Sequence, residues 1–131
     1  MKNPECLFCK ISSWEIPSVK IREDENFLAI LDIFPNRKWM TLVLPKEHYD
    51  SDVFEIDDEM LGKYILAVKK VTKLLKKWLW VKKVWIVMEW EQINHAHFRL
   101  YPFYDDWGFH WSIWSGEKAD IDELQKLADK I

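Results

Sequence analysis

From Asn94 to Tyr101 the chain alternates polar and apolar residues, Asn-His-Ala-His-Phe-Arg-Leu-Tyr, until Pro102 closes the run. A period of two is what a half-buried strand requires, because successive side chains point to opposite faces. Ala96, Phe98 and Leu100 are thereby assigned to a core, and His95, His97, Arg99 and Tyr101 to the other face. Neighbours on that face lie about 7 Å apart, so two imidazoles and a guanidinium form a row suited to a phosphate. An ordinary edge strand with solvated polar residues would show the same alternation.

Other segments carry comparable patterns. Residues 18–23 and 26–33 read as strands around Asp24-Glu25, a hairpin with a charged turn. Asp32 closes the second of them beside Ile33, and Phe34-Pro35-Asn36 breaks it. A third strand, 40–44, stops at Pro45-Lys46-Glu47-His48, and a fourth, 84–89, leads through Trp90-Glu91-Gln92-Ile93 into the histidine run. Asp57 is a good N-cap for one long helix over 58–77. There Met60, Leu61, Tyr64, Ile65, Val68, Val71, Leu74 and Leu75 recur at three- and four-residue steps opposite a lysine face. A short helical turn after Lys10-Ile11 is ended by Ile16-Pro17, and Asp120-Ile121-Asp122-Glu123 resembles a capping box opening a terminal helix to Ile131. The pattern implies an antiparallel sheet, and the length a single domain over 1–131.

Composition narrows the functions. A net charge of -3 argues against a general nucleic-acid binder while allowing a small anion at one basic site. No apolar run approaches the roughly 20 residues that span a bilayer, and the first residues lack a signal-peptide pattern. The expected compartment is the cytoplasm, where Cys6 and Cys9 stay reduced. Cys6-Leu7-Phe8-Cys9 alone is a metal or redox motif, or two buried thiols with His48 as a turn residue.

Tryptophan is anomalous: there are 9 Trp and 3 Gly in 131 residues. Glycine is thus about 2% where roughly 7% is usual, and the two types together make about 9%. Trp14, Trp39, Trp78, Trp80, Trp107 and Trp111 fall where turn chemistry asks for glycine. Several or all of the tryptophans are therefore expected to stand in for glycines, as a misread UGA codon or deliberate substitution would produce.

Five motifs in order, Cys-x-Phe-Cys-Lys-Ile, Glu-Ile-Pro, Leu-Asp-Ile-x-Pro, Thr-Leu-Val-Leu-Pro-Lys-x-His and His-x-His, resemble those of the histidine-triad (HIT) nucleotide-binding proteins. The resemblance covers about residues 6–104, and Trp14, Trp39 and Trp90 fall where those relatives usually have glycine. It implies an α+β fold with a core over about 6–104, a five-stranded antiparallel sheet with one long helix and a short C-terminal one, paired into a homodimer. It also implies a purine nucleotide or nucleotide conjugate as ligand, hydrolysed or transferred at its α-phosphate.

Transferred by motif, His97 is the nucleophile that forms a nucleotidyl-histidine. His95 orients it through its carbonyl, Asp32 accepts hydrogen bonds from the ribose, and Phe8 and Ile33 hold the base. Gln92 and Arg99 complete the nucleotide site. In relatives with this C-x-x-C, a structural zinc is held as by Cys6, Cys9, His48 and His95, a closed set. Arg99 replaces the third histidine, Met40 a further histidine and Met88 a phosphate-binding asparagine. A guanidinium holds phosphate well but delivers no proton, since its pKa lies above about 12. Weak or narrow hydrolase activity, or a nucleotide-binding module without turnover, is the expectation.

Overall fold

The computed structural model describes residues 2–106 and 117–130. Helix α1 (Leu7–Ser12) is followed by strands β1 (Val19–Glu23), β2 (Phe27–Leu31) and β3 (Thr41–Pro45). A 3₁₀ turn (Val53–Glu55) precedes helix α2 (Asp58–Leu79), and strands β4 (Val84–Met88) and β5 (Phe98–Pro102) and helix α3 (Ile121–Ala128) complete the chain. The strands form one five-stranded sheet in the order β1-β2-β3-β5-β4, every pairing antiparallel. This is the α+β architecture that the resemblance implies, with the antiparallel pairing that the hydrophobic pattern implies. Among the described residues, no helix is long and apolar enough to cross a membrane.

The hairpin turn forms as its charged residues require. Asp24 Oδ1 accepts from the N–H groups of Asn26 and Phe27 at 2.9 and 2.8 Å, fixing the register that sets Glu23 opposite Leu28. All five residues of β2 and of β3 are buried, because both faces of the sheet are covered. Phe27, Ala29, Val43 and Leu100 pack against Tyr64, Val68, Val71 and Leu75 of α2. Leu28, Ile30, Leu42 and Leu44 point the other way, onto Phe8 and Ile11 of α1. Val19, Leu31 and Trp39 meet Leu124 and Ala128 of α3.

Helix α2 begins at Asp57, whose carboxylate accepts from Met60 N–H at 3.0 Å. Tyr64 ties the helix to the sheet by donating its hydroxyl to the Val43 carbonyl at 2.6 Å. Ile65, assigned to the apolar stripe by its spacing, is instead 48% exposed on the outer flank. Removing the cap with Asp57→Ala is expected to lower stability by about 1 kcal/mol. The thermal midpoint should fall by roughly 3–6 °C without change of the folded far-UV spectrum.

The helix also ends later than its spacing suggests. It runs through Trp78 to Leu79, and Trp80 takes the left-handed C-cap at φ 56. Helix α1 starts earlier than expected, at Leu7, so that Cys9 is helical. It closes in a Schellman motif: Glu15 N–H donates to the Lys10 carbonyl and Trp14 N–H to that of Ile11, with Trp14 at φ 66. Trp39 is likewise at φ 65. These three tryptophans hold the backbone conformation that glycine adopts without strain. Trp78 and Trp85 lie within regular helix and strand, and Trp90 has no positive φ, so the backbone makes no such demand there. Trp107, Trp111 and His110 lie outside the described residues.

The terminal helix opens on Asp120, whose side chain accepts from Asp122 and Glu123 N–H groups. The reciprocal half of a capping box is replaced by a bond from Lys126 to the Glu123 carboxylate at 3.1 Å. The helix ends at Ala128, short of Ile131.

Candidate active site

The histidine run behaves as a strand only from Phe98 onward; His95 and His97 lie in the extended approach to β5. The faces are divided as the alternation implies, with Ala96, Phe98 and Leu100 in the α2 layer. The other face is not a solvated one, however. His95, His97 and Tyr101 are at most 1% exposed and Arg99 5%. Alternation reports two unlike environments, and here the second is a polar interior roofed by α1.

His97 is fixed by its neighbours. A carbonyl oxygen only accepts, so the 2.7 Å contact from Nδ1 to the His95 carbonyl puts the proton on Nδ1 and leaves Nε2 directed at the Glu89 carboxylate, 3.2 Å away. The edge of Phe8 packs on the imidazole, with ring centroids 5.0 Å apart. Burial pushes the His97 pKa down, while the His95 carbonyl and the Glu89 carboxylate pull it back up. A neutral, pre-oriented imidazole at neutral pH is a competent nucleophile.

The imidazole and the Arg99 guanidinium border a cavity of about 500 Å³. Its walls are largely apolar, from Phe8, Ile16, Ile30 and Ile33, and its polar groups include Asp32 and Gln92. That combination, an apolar slot with a few convergent polar groups, is what a flat heterocycle with a phosphate tail fits. Gln92 Oε1 accepts from Arg99 Nη2 at 2.7 Å. Asp32 accepts from Phe34 N–H at 2.8 Å. Burial raises its pKa; the Phe34 hydrogen bond and the Arg99 and His97 charges oppose the rise.

Two contributors escaped the sequence reading. The C-terminal segment, which carries none of the five motifs, closes the cavity with Lys118, Ile121 and Leu124. It is anchored by Ala119 N–H on the Ile33 carbonyl at 2.6 Å. Apolar spacing in α3 was a usable signal for burial, but nothing in it told which cavity would be closed. Glu89 is the second: a carboxylate 3% exposed, 3.2 Å from His97 Nε2 and 3.4 Å from Arg99 Nη2. As the last residue of an apolar strand pattern it gave no hint of facing the histidines.

The four metal-type residues converge at the other end of the run. Cys6, Cys9, His48 and His95 each offer a donor atom within 4.8 Å of the others. His95 donates its Nε2 proton to the Pro45 carbonyl at 2.8 Å, which leaves the Nδ1 lone pair facing Cys6 Sγ at 3.3 Å and Cys9 Sγ at 3.6 Å. His48 Nδ1 approaches Cys9 Sγ at 3.5 Å. Burial pushes the His95 pKa to about 4, so its ring is neutral and available as a ligand at pH 7. Two sulfurs and two imidazole nitrogens at these separations fit a tetrahedral zinc, whose bonds are about 2.0–2.3 Å long. Carbonyl support of a ligating histidine is the usual outer-shell arrangement.

Sheet, helices and buried histidines together define an α+β protein with an ordered imidazole at the wall of an apolar cavity and a cluster able to hold a metal. The HIT domain matches residues 13–102, and the chain belongs to the HIT family. It is 39% identical, over 92% of its length and 96% of the other, to an uncharacterised HIT-like protein of Methanocaldococcus jannaschii. It is 33% identical to an adenosine 5'-monophosphoramidase of Candida albicans, over 96% of this chain and 88% of that one. A zinc-bound histidine triad family protein from Mycobacterium smegmatis superposes with a TM-score of 0.76 at 28% identity, over 95% of this chain and 90% of that one.

Proposed function

We propose that the protein hydrolyses or transfers the nucleotidyl group of purine nucleotide conjugates, with His97 as nucleophile. The observation that carries this reading is the His97 ring, held by the His95 carbonyl at the wall of an apolar cavity. Nε2 forms a bond to the α-phosphorus while the bond to the leaving group breaks, its electron pair departing on the leaving atom, which takes up a proton. Water then attacks the nucleotidyl-histidine, and the phosphorus–nitrogen bond breaks to return the pair to the imidazole. Arg99, at the third position of the triad, balances phosphate charge, and Gln92 holds its guanidinium. Asp32 receives the ribose hydroxyls, and Phe8 and Ile33 enclose the base.

Cys6, Cys9, His48 and His95 would hold a structural zinc, which would cross-link the N-terminus to the histidine strand. The phosphoramidase activity named for the Candida relative supports a phosphorus–nitrogen bond as the one broken. A second copy of the chain is the expected partner. Edge strand β4 and the outer flank of α2 expose Ile86, Ile65 and Leu66 at 46, 48 and 58%, which supports pairing there.

Trapping tests the reading. Zinc-loaded protein is incubated with adenosine 5'-phosphoramidate, quenched in base and weighed intact beside His97→Ala. The expected result is a mass gain of one nucleotide, absent from the variant. Tight AMP binding with neither adduct nor AMP release would instead make the protein a nucleotide-binding module.

A further inference from the structure

The end of the cavity far from His97 carries polar groups that the transfer step does not use. His97 lies at the approach to β5, Asp32 follows β2, and Ser18 precedes β1. In the sheet order β1-β2-β3-β5-β4, the Ser18 end therefore stands three strands from the imidazole. Neighbouring strands lie about 4.8 Å apart, so the span is about 14 Å. With its phosphate at His97 and its ribose at Asp32, a nucleotide turns its base toward β1 and the 118–124 segment. Ile16, Val19, Ile121 and Leu124 make that end apolar, and among the described lining residues there only Ser18 and Lys118 have polar side chains. The Ser18 hydroxyl is buried and has no hydrogen-bond partner among the described residues. Such a group is costly unless a ligand completes it. Lys118 is exposed and adjoins Ile33 through the bond from Ala119 N–H to the Ile33 carbonyl. Its ammonium has no ion-pair partner among the described residues.

We propose that Lys118 sets the base preference of the cavity by donating to the O6 and N7 acceptors of a 6-oxopurine, so that guanine and hypoxanthine nucleotides are taken in preference to adenine ones. The proposal rests on the nucleotide reading above and narrows its purine. An ammonium only donates hydrogen bonds. Guanine and hypoxanthine present two adjacent acceptors on that edge, whereas adenine pairs its N7 acceptor with the N6 amino group, itself a donor. The same ammonium thus meets two lone pairs on one kind of base, and one lone pair beside an opposed N–H on the other. Ser18 does not discriminate in this way, because a hydroxyl both donates and accepts. The positive charge of Lys118 attracts the phosphate of every nucleotide alike, so that attraction cancels when bases are compared.

Because Lys118 is exposed, Lys118→Met removes the donor without disturbing a core. The test measures Kd for AMP, GMP and IMP on zinc-loaded wild type, Lys118→Met and Lys118→Arg. A well-placed cation on the O6/N7 edge separates bases by about fivefold or more, so wild type should bind GMP and IMP at least about fivefold more tightly than AMP. Lys118→Met should bring the three Kd values within about twofold of one another, and Lys118→Arg, which restores the donors, should keep the preference. Equal binding of AMP and GMP by wild type overturns the proposal, and so does a preference that survives in Lys118→Met. Tight GMP with weak IMP overturns it as well, since the group being read would then be the guanine 2-amino group. If AMP binds and the bases are not separated, the purine nucleotide reading stands and the base preference alone falls. If none of the three nucleotides binds, both fall.

Discussion

Zinc removal is expected to lower the melting temperature by roughly 10–20 °C and to release the N-terminal helix from the sheet. A ligand present at a thousandfold excess over its Kd stabilises the folded state by about 4 kcal/mol. For a domain of this size each kcal/mol moves the midpoint by roughly 3–6 °C. The cluster concentrates that stabilisation at one place. Cys6 and Cys9 bring the start of α1, His48 brings the turn after β3, and His95 brings the approach to β5. The sheet and α2 retain a core of their own, so the metal-free chain should remain folded there while amides of residues 3–16 exchange faster. Cys9→Ser should melt at the same temperature with or without added zinc, and close to metal-free wild type. If chelated and zinc-loaded wild type melt within 2 °C of each other, the cluster is not a structural metal site.

Returning glycine to the left-handed turns is expected to stabilise the chain. Trp80 is 93% exposed at φ 56, so Trp80→Gly removes strain and gives up no packing. Left-handed backbone costs an ordinary L-residue about 1–2 kcal/mol, against which glycine's larger entropy loss on folding returns about 0.5–1 kcal/mol. Trp14→Gly relieves the Schellman position of α1 but loses the ring lying 4.7 Å from the Lys20 ammonium. The two together should raise stability by about 1–2 kcal/mol, read as a higher denaturant midpoint at unchanged m-value. Trp39→Gly should behave differently, because that indole is 8% exposed among Val19, Leu31 and Leu124. Its strain relief is offset by a lost core side chain worth about 3–5 kcal/mol, so it should destabilise. A loss of stability in Trp80→Gly would show that glycine is not the better residue at that cap.

These same tryptophans show how far local chemistry can be read without coordinates. Trp14, Trp39 and Trp80 betrayed themselves because a helix end or a strand entry demands a residue tolerant of positive φ, and that demand is local. Trp78 did not follow, since the last turn of α2 continues past Lys77 on tertiary support that no spacing records. The strands and the long helix were legible because one face of each is uniformly apolar. The exposure of Ile65 was not, because periodicity defines a stripe and not its width. The convergence of Cys6, Cys9, His48 and His95 came only from the resemblance to a family; across 89 residues no pattern links the first to the last. Glu89 reaches His97, and Lys118 the cavity, through a strand end and a terminal segment whose paths depend on the whole fold.

His95 spends its ring on one site and its carbonyl on another. The imidazole faces two cysteine sulfurs, and the main chain of the same residue holds the proton of His97 Nδ1. A single backbone unit is therefore common to the cysteine–histidine cluster and to the His97 imidazole. Whatever shifts that unit is felt at both ends, and by reciprocity an occupant that tightens one site must tighten the other by the same factor. A pool of the protein short of zinc is therefore expected to hold molecules whose His97 is less well aimed, not merely less stable.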